Sequence, residues 1–224
     1  MPTWHPAQLV SRTRIDEGLF VLRLDVAPEV AARFVAPGQF HQVRHVGAES
    51  WFAIGSTPGK QSFEYLIREG DGVSSALATA ALGTSFDVSF PEGAGFPVEA
   101  AVGRDLLLVC TGTALAPIRS VLGVVAPRRN EFGRVTLLQG QRTPAQRPWL
   151  DDLSALPRID VHTVVTEAPP GWTGRVGFVQ QHLAELPVSA GTVAFLVGQQ
   201  AMTDEVTALL LARGVDPSAV FLNV

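Results

Sequence analysis

The sequence predicts a two-domain chain of the β plus α/β class, in which an antiparallel sandwich or barrel precedes a parallel, doubly wound sheet. Its 224 residues suffice for two domains of about 100 residues each. In the first half, short apolar stretches recur between Gly, Pro and Asp clusters, a pattern typical of antiparallel folds. In the second half, apolar strands alternate with helical stretches, as in parallel sheets. We expect the domain boundary near Glu99–Arg104.

The first half contains five predicted strands and one predicted helix. Alternation in the first strand places Phe20, Leu22 and Leu24 on one face. Serine residues followed by strong helix formers predict a helix over Ser74–Leu82. The predicted strands lie within LFVLRLDV (19–26), PGQFHQVRHV (37–46), WFAIGSTPG (51–59), SFEYLI (62–67) and FDVSFPEGAGF (86–96).

The second half begins with a continuous apolar run, LLLVC (106–110), which predicts a strand buried on both faces. An apolar-periodic segment, IRSVLGVV (118–125), follows it. The other predicted strands are VTLLQG (135–140), VHTVVT (161–166), VAFLVG (193–198) and VFLNV (220–224), and the other predicted helices are Trp149–Leu156, Val179–Leu186 and Met202–Ala212.

Composition and charge exclude several classes of protein. The net charge is −4, from 17 basic and 21 acidic residues, and no basic block predicts a nucleic-acid surface. The single cysteine, Cys110, excludes an intramolecular disulfide and a four-cysteine metal site from this chain alone. Its apolar strand predicts a buried, unreactive thiol. Neither a signal-peptide pattern nor a membrane-length apolar stretch is present, so we expect a cytoplasmic location.

No side-chain constellation predicts acid–base, nucleophilic or metal chemistry. His41 and His45 are four residues apart on a predicted strand without a third ligand nearby, which favours a structural or surface role over metal binding. Ser74 and Ser75 lack the strand–turn–helix setting of a hydrolase nucleophile. We therefore assign no catalytic residue and no metal.

The segment TGTALAP (111–117) lies between a buried strand and a helix. The backbone N–H groups of such a loop, together with the helix dipole, form a site suited to pyrophosphate. Gly112 allows close approach of the backbone, and the Thr111 and Thr113 hydroxyls can donate hydrogen bonds. Pro117 suits the first helical turn. An ordinary strand–helix turn is the alternative at this point.

Two further strand exits are candidate ligand positions. Arg142 follows the predicted strand 135–140, at the edge where open α/β sheets bind ligands, and its guanidinium can pair with a phosphate or a ribose. A solvated loop arginine is the alternative. Gly198 and Met202 follow VAFLVG in the same way, although Met202 also suits the core.

Taken in order, seven segments resemble the ferredoxin–NADP reductase family of flavin-dependent oxidoreductases, in particular its short bacterial and plant fruit-protein members. The resemblance covers nearly the whole chain. The segments are PGQF (37–40), WFAIGSTP (51–58), GVSSAL (72–77), PEGAGFP (91–97), LLLVCTGTALAPIRS (106–120), GWTGRVGFV (171–179) and LVGQQAM (196–202).

The resemblance implies a six-stranded antiparallel FAD-binding β-barrel over residues 1–100. It implies that Phe52 lies against the flavin ring, that the backbone of Leu66–Arg68 faces the edge of the isoalloxazine, and that Ser74 contacts the diphosphate. The residues implied for FAD are Phe52, Ala53, Ile54, Ser56, Leu66, Ile67, Arg68, Gly72, Val73 and Ser74.

The same resemblance implies an NAD(P)-binding α/β domain over residues 101–224, with the loop after the first strand framing the pyrophosphate. The resemblance does not indicate whether the electron donor is NADH or NADPH. The residues implied for the nicotinamide dinucleotide are Thr111, Gly112, Thr113, Ala114, Pro117, Arg142, Gly198, Gln199 and Met202.

The implied function is an FAD-dependent oxidoreductase in which hydride passes from NAD(P)H to flavin and electrons continue to an acceptor, either a small molecule or a redox protein. The alternative is a partner-dependent or non-catalytic electron-transfer or assembly subunit that retains the fold. Three departures from the family pattern together support this alternative: Ser50 replaces an Arg, Ala114 a Gly and Val197 a Cys. Ala53 also replaces a Ser or Thr of the flavin motif. Arg68 is the candidate cation to replace the missing Arg, and Arg44 is a more distant candidate.

Overall fold

Two six-stranded sheets, one antiparallel and one parallel, contain most of the strands in the computed structural model, which describes residues 2–223, with the side chain of Leu150 left out. The chain divides into two units. Unit 1 comprises Met1–Gly95 with Ala116–Val124, and unit 2 comprises Phe96–Leu115 with Val125–Val224. The expected division into domains 1–100 and 101–224 stays a prediction.

Unit 1 is built on the antiparallel sheet, whose strand order is β4-β3-β6-β1-β2-β5. The five predicted strands of the first half are present. The sheet also contains β1, which was not predicted because only Ala7 and Leu9 of this strand are buried. The strands are β1 (His5–Asp16), β2 (Leu19–Val26), β3 (Phe40–His45), β4 (Ala48–Ala53), β5 (Ser62–Arg68) and β6 (Ser85–Val88).

The two edge strands of this sheet, β4 and β5, are connected by the segment that follows β4. Gly55 N–H donates to Glu64 O at 2.7 Å. The Ser56 hydroxyl donates to Ser62 O at 2.9 Å and accepts from Glu64 N–H at 2.6 Å. These bonds hold irregular backbone against β5, although no strand ladder among the described residues joins β4 to β5.

The core of unit 1 lies on the inner face of the sheet. Phe20, Leu22 and Leu24 are all buried there, which confirms the predicted face of β2. Two short helices, α1 (Pro28–Ala31) and α2 (Val73–Thr79), contribute Val30, Val73 and other apolar side chains to the same core. The predicted helix over Ser74–Leu82 is therefore present but ends three residues earlier.

Unit 2 is built on the parallel sheet, whose strand order is β10-β9-β8-β7-β11-β12. The chain therefore adds strands on one side of β7 and then returns to add them on the other side, as in doubly wound folds. The strands are β7 (Leu106–Thr111), β8 (Val135–Gln141), β9 (Ile159–Val165), β10 (Arg175–Val176), β11 (Val193–Val197) and β12 (Val220–Leu222). Val224, the end of the last predicted strand, lies outside the described residues.

The remaining helices are α3 (Leu115–Val125), α4 (Leu150–Ser154), α5 (Val179–His182) and α6 (Gln200–Ala212). The predicted helix over Val179–Leu186 is α-helical only at its start, and residues Leu183–Glu185 form a 3₁₀ turn. Pro187 explains where this segment stops, because a proline disfavours the helical conformation of the residue before it. Within residues 2–223, no helix has the length and apolar character needed to cross a membrane.

Candidate functional site

The strand order of unit 2 reverses between β7 and β11, and the nucleotide residues expected from the sequence, apart from Arg142, lie at or just beyond the carboxyl ends of these two strands. Cys110 pairs with Val197 in the register of the two strands. Thr111 therefore ends β7 and Gly112 follows it, beside Gly198, which follows β11. Open α/β sheets bind ligands outside the carboxyl ends of their strands at such a reversal.

Three of these residues approach each other closely. A β-carbon built on Gly198 would lie 2.6 Å from the Thr111 hydroxyl oxygen and 2.7 Å from Cε of Met202. On the other side of Thr111, a β-carbon on Gly140 would lie 3.0 Å from its methyl group. Glycines on two neighbouring strands thus leave room for Thr111. Met202 is 5% exposed, so its side chain is part of this packing.

The loop after β7 is a 3₁₀ turn over Gly112–Ala114 that continues into α3. Gly112 has a φ of +57°, which an L side chain rarely adopts. Ala114 has no positive φ, so this position does not require the glycine of the family pattern. Pro117 lies in the first turn of α3, as predicted.

Gln141, at the end of β8, contacts the loop after β7. This residue was not identified from the sequence. Its Nε2 donates to the Gly112 carbonyl oxygen at 3.4 Å, and its side chain is 4% exposed. The sequence signal for this contact is a glutamine within an apolar strand, which indicates a buried polar side chain that needs a hydrogen-bond partner. Gln199 contributes its carbonyl to the start of α6, where it accepts from Thr203 N–H at 3.1 Å.

Arg142 lies at the next carboxyl end, where its Nε contacts Glu167 Oε2 at 3.1 Å. Glu167 follows β9 and was not identified from the sequence, because the strand register that brings it to Arg142 is not visible there. Of this pair, Glu167 lines an open cavity of about 380 Å³. Its lining residues are Thr143, Pro144, Ala145, Glu167, Ala168 and Pro169.

In unit 1, the structure separates the expected FAD residues into buried side chains and available backbone. Ile54, Ile67 and Val73 are in the hydrophobic core, and Leu66 is 5% exposed. These side chains stabilise the unit. Because β5 is an edge strand, only one side of Leu66–Arg68 pairs with another described strand, β2. The other edge of this backbone is suited to hydrogen bonds with a flat heterocycle.

Phe52 and Ser56 have different surroundings. Phe52 is half-buried on β4, and its ring lies edge-on to Tyr65 with 6.3 Å between ring centroids. The Ser56 hydroxyl both donates and accepts within the β4–β5 connection, so its role in the fold is structural. Ala53 ends β4 opposite Phe40 and has no hydroxyl to offer.

The turn before α2 has the backbone conformation that its glycine predicts. Gly72 has a φ of +61°, and a β-carbon there would be 3.4 Å from the Ala48 side chain on β4. The Ser74 hydroxyl donates to Asp71 O at 2.9 Å. The turn is thus closely packed beside β4, while Arg68 is exposed at the end of β5.

A buried polar pair lies behind Phe52. His41 Nδ1 is 3.1 Å from Ser89 O, and its Nε2 is 2.7 Å from the Tyr65 hydroxyl. The Ser89 carbonyl can only accept, so Nδ1 carries the proton and Tyr65 donates to Nε2. Burial lowers the pKa of His41 from 6.5 to about 4, although the bond to Ser89 acts in the opposite direction. Burial also raises the pKa of Tyr65.

Cys110 is buried in β7, and burial raises the pKa of its thiol, as expected for a structural cysteine. Among residues 2–223, no group of three or more His, Cys, Asp or Glu side chains is arranged to hold a metal ion.

Comparisons with known proteins agree with this geometry. The family described as the oxidoreductase NAD-binding domain matches residues 108–208. Sulfhydrogenase 1 subunit gamma of Pyrococcus furiosus is 29% identical, with coverage of 93% of this chain and 74% of the relative. Fruit protein pKIWI502 of Actinidia deliciosa is 28% identical, with coverage of 92% and 72%. A ferredoxin NADP+ reductase from Neisseria gonorrhoeae, solved with FAD and NADP, has a TM-score of 0.85 at 20% identity and coverage of 99% and 98%.

The doubly wound sheet, with the glycine-containing loop at its reversal, contains the segment that matches the oxidoreductase NAD-binding domain. In sequence, the chain is similar over more than nine-tenths of its length to the Pyrococcus and Actinidia proteins. The likeness to the Neisseria structure establishes the shared fold.

Proposed function

We propose that this protein binds FAD in unit 1 and a nicotinamide dinucleotide in unit 2, and that it transfers electrons from NAD(P)H through FAD to an acceptor. The observation that carries the proposal is the loop after β7 at the reversal of the parallel sheet, with Thr111 and Gly198 in close approach. When bound, FAD supplies the hydride and electron-transfer chemistry. We propose the division into domains 1–100 and 101–224 on the same basis.

In unit 2, the loop residues Thr111–Ala114 would hold the pyrophosphate through backbone N–H groups and hydroxyls at the start of α3. Gly112 keeps the backbone open for close approach, and Gly198 leaves room for the Thr111 and Met202 side chains. Gln141 holds the Gly112 carbonyl and so fixes the direction of the loop. The other residues that the family resemblance implies for the nicotinamide dinucleotide are Pro117, Gln199, Met202 and Arg142.

In unit 1, the residues present fit a bound flavin in two respects. The outer backbone edge of Leu66–Arg68 offers hydrogen-bonding groups, and the half-buried Phe52 offers an aromatic surface. The turn at Gly72–Ser74 would contact the diphosphate, and Arg68 would replace the cation missing at Ser50. We assign no side chain to acid–base chemistry, because alignment and electrostatics suffice for a hydride step.

The acceptor would be a small molecule or a redox protein. The names of the relatives support a redox protein, since the Neisseria protein is called a ferredoxin NADP+ reductase. We also propose a cytoplasmic setting, which is supported by the free, buried Cys110 in a chain without a second cysteine.

The test is the visible absorption spectrum of the purified protein after addition of FAD, followed under anaerobic conditions by NADH or NADPH. We expect flavin bands that bleach with at least one nucleotide. Bands that persist with both would contradict nicotinamide-dependent reduction and favour a partner-dependent subunit. A protein that takes up no FAD would contradict the proposal as a whole.

A further inference from the structure

The ion pair between Arg142 and Glu167 is held in place by backbone as well as by charge. Beyond the last residues of β8 and β9, Thr166 N–H donates to Gln141 O at 3.1 Å and Glu167 N–H donates to Arg142 O at 2.7 Å. The ladder between the strands thus continues through both charged residues. Although their side chains are 63% and 59% exposed, their backbones are fixed side by side.

The cavity beside this pair has mostly apolar walls and one polar group without a partner. Pro144, Ala145, Ala168 and Pro169 supply flat apolar surface, and the buried Thr143 hydroxyl has no hydrogen-bond partner among the described residues. A cavity of this kind suits a flat heterocycle attached to a sugar. Its position at the carboxyl ends of β8 and β9 is one strand away from the loop proposed to hold the pyrophosphate.

A second cation near this cavity is already engaged. Arg147 Nε donates to Pro144 O at 2.7 Å, and its guanidinium lies over the Trp172 ring at 5.6 Å from the centroid. Among the lining residues, Glu167 is the charged one, and its charge is offset by its ion pair with Arg142.

We propose that the Arg142–Glu167 pair selects NADH over NADPH, an inference that rests on the proposed function. The two nucleotides differ by a 2′-phosphate, which carries a charge of about −2 at neutral pH. The Glu167 carboxylate already lies 3.1 Å from Arg142 Nε, so a 2′-phosphate would have to compete with it for the guanidinium. The phosphate and the Glu167 carboxylate, both negatively charged, would then lie side by side and repel each other. A ribose 2′-hydroxyl can instead donate to Glu167 and leave the pair intact.

The test is calorimetric titration of the FAD-loaded full chain with NAD⁺ and NADP⁺ at low ionic strength, so that binding is measured without turnover. We expect NAD⁺ to bind at least about tenfold more tightly than NADP⁺. In Glu167→Gln, the ratio of NAD⁺ affinity to NADP⁺ affinity should fall by about fivefold, because the substitution removes one exposed negative charge that would repel the 2′-phosphate. The matched control is Glu185→Gln, which removes a carboxylate paired with Arg175 at 3.0 Å and should leave the ratio unchanged.

The outcomes separate this inference from the proposed function. Equal or tighter binding of NADP⁺ would overturn the selectivity and leave the proposed function standing. An unchanged ratio in Glu167→Gln, or an equal change in Glu185→Gln, would also overturn the role of the pair. Binding of neither nucleotide would overturn both.

Discussion

Gly198 and Thr111 are so close across the β7–β11 junction that a β-carbon on Gly198 would lie 2.6 Å from the Thr111 hydroxyl oxygen. In Gly198→Ala we therefore expect Thr111 to move and NAD⁺ binding to weaken by tenfold or more, with about 1–3 kcal/mol lost in stability. Nucleotide titration and urea unfolding measure the two effects. Gly191→Ala is the control, because a β-carbon there meets only the Ser189 hydroxyl at 3.8 Å. Equal losses in both variants would refute the role of the junction.

Exchanging glycine and alanine at positions 112 and 114, in the loop after β7, should affect nucleotide binding differently at the two positions. Gly112→Ala places an L side chain at a φ of +57°, which costs about 1–2 kcal/mol and should weaken nucleotide binding. Ala114→Gly should bring no gain in affinity, because Ala114 already has a negative φ and glycine adds only flexibility. Calorimetric titration of both variants with NAD⁺ checks this. Tighter binding by Ala114→Gly would show that its β-carbon obstructs the site.

His41 should make stability depend on pH. Its pKa is lowered from 6.5 to about 4, so between these values the unfolded chain binds more protons than the folded one. The free energy of unfolding should therefore fall as pH decreases from about 6.5 to about 4, by about 3 kcal/mol. Denaturant unfolding of wild type and His41→Gln across this range isolates the effect, since other titrating groups are common to both. Parallel curves for the two proteins would contradict the assignment.

Cys110 should be chemically inert in the folded protein. The residue is buried in β7 and its thiol pKa is raised by burial, so neither access nor thiolate is available. We expect a thiol reagent to leave the native protein unmodified and to titrate one thiol after denaturation. Stoichiometric labelling under native conditions would show that β7 opens at its carboxyl end.

Arg68 should contribute to FAD affinity if it replaces the cation missing at Ser50. We expect Arg68→Ala to weaken FAD binding by about tenfold, equivalent to about 1.4 kcal/mol. Fluorescence titration of the apoprotein with FAD provides the measurement. The control is Arg23→Ala, an exposed arginine on the neighbouring strand opposite Glu64. Unchanged FAD affinity in Arg68→Ala would eliminate this residue as the substitute.

The structure bears out most of the element predictions, because strands and helices depend on local patterns. The run Leu106–Cys110 predicted a strand buried on both faces, and the alternation of Phe20, Leu22 and Leu24 predicted a buried face. The sequence does not predict β1, because most of its residues are not buried and it has no clear apolar alternation. Its position depends instead on hydrogen bonds to β2 and β6.

By itself, the sequence predicted the fold class, a resemblance to a reductase family and the segments that we propose to bind the nucleotide. Only the tertiary structure decided which side chains meet. Glu167 reaches Arg142, and Gln141 reaches Gly112, through the register of strands that are more than twenty residues apart. His41 and Tyr65 meet because their strands face the same interior. Local periodicity determines which face a residue occupies, whereas its partner across the fold depends on pairings between distant segments.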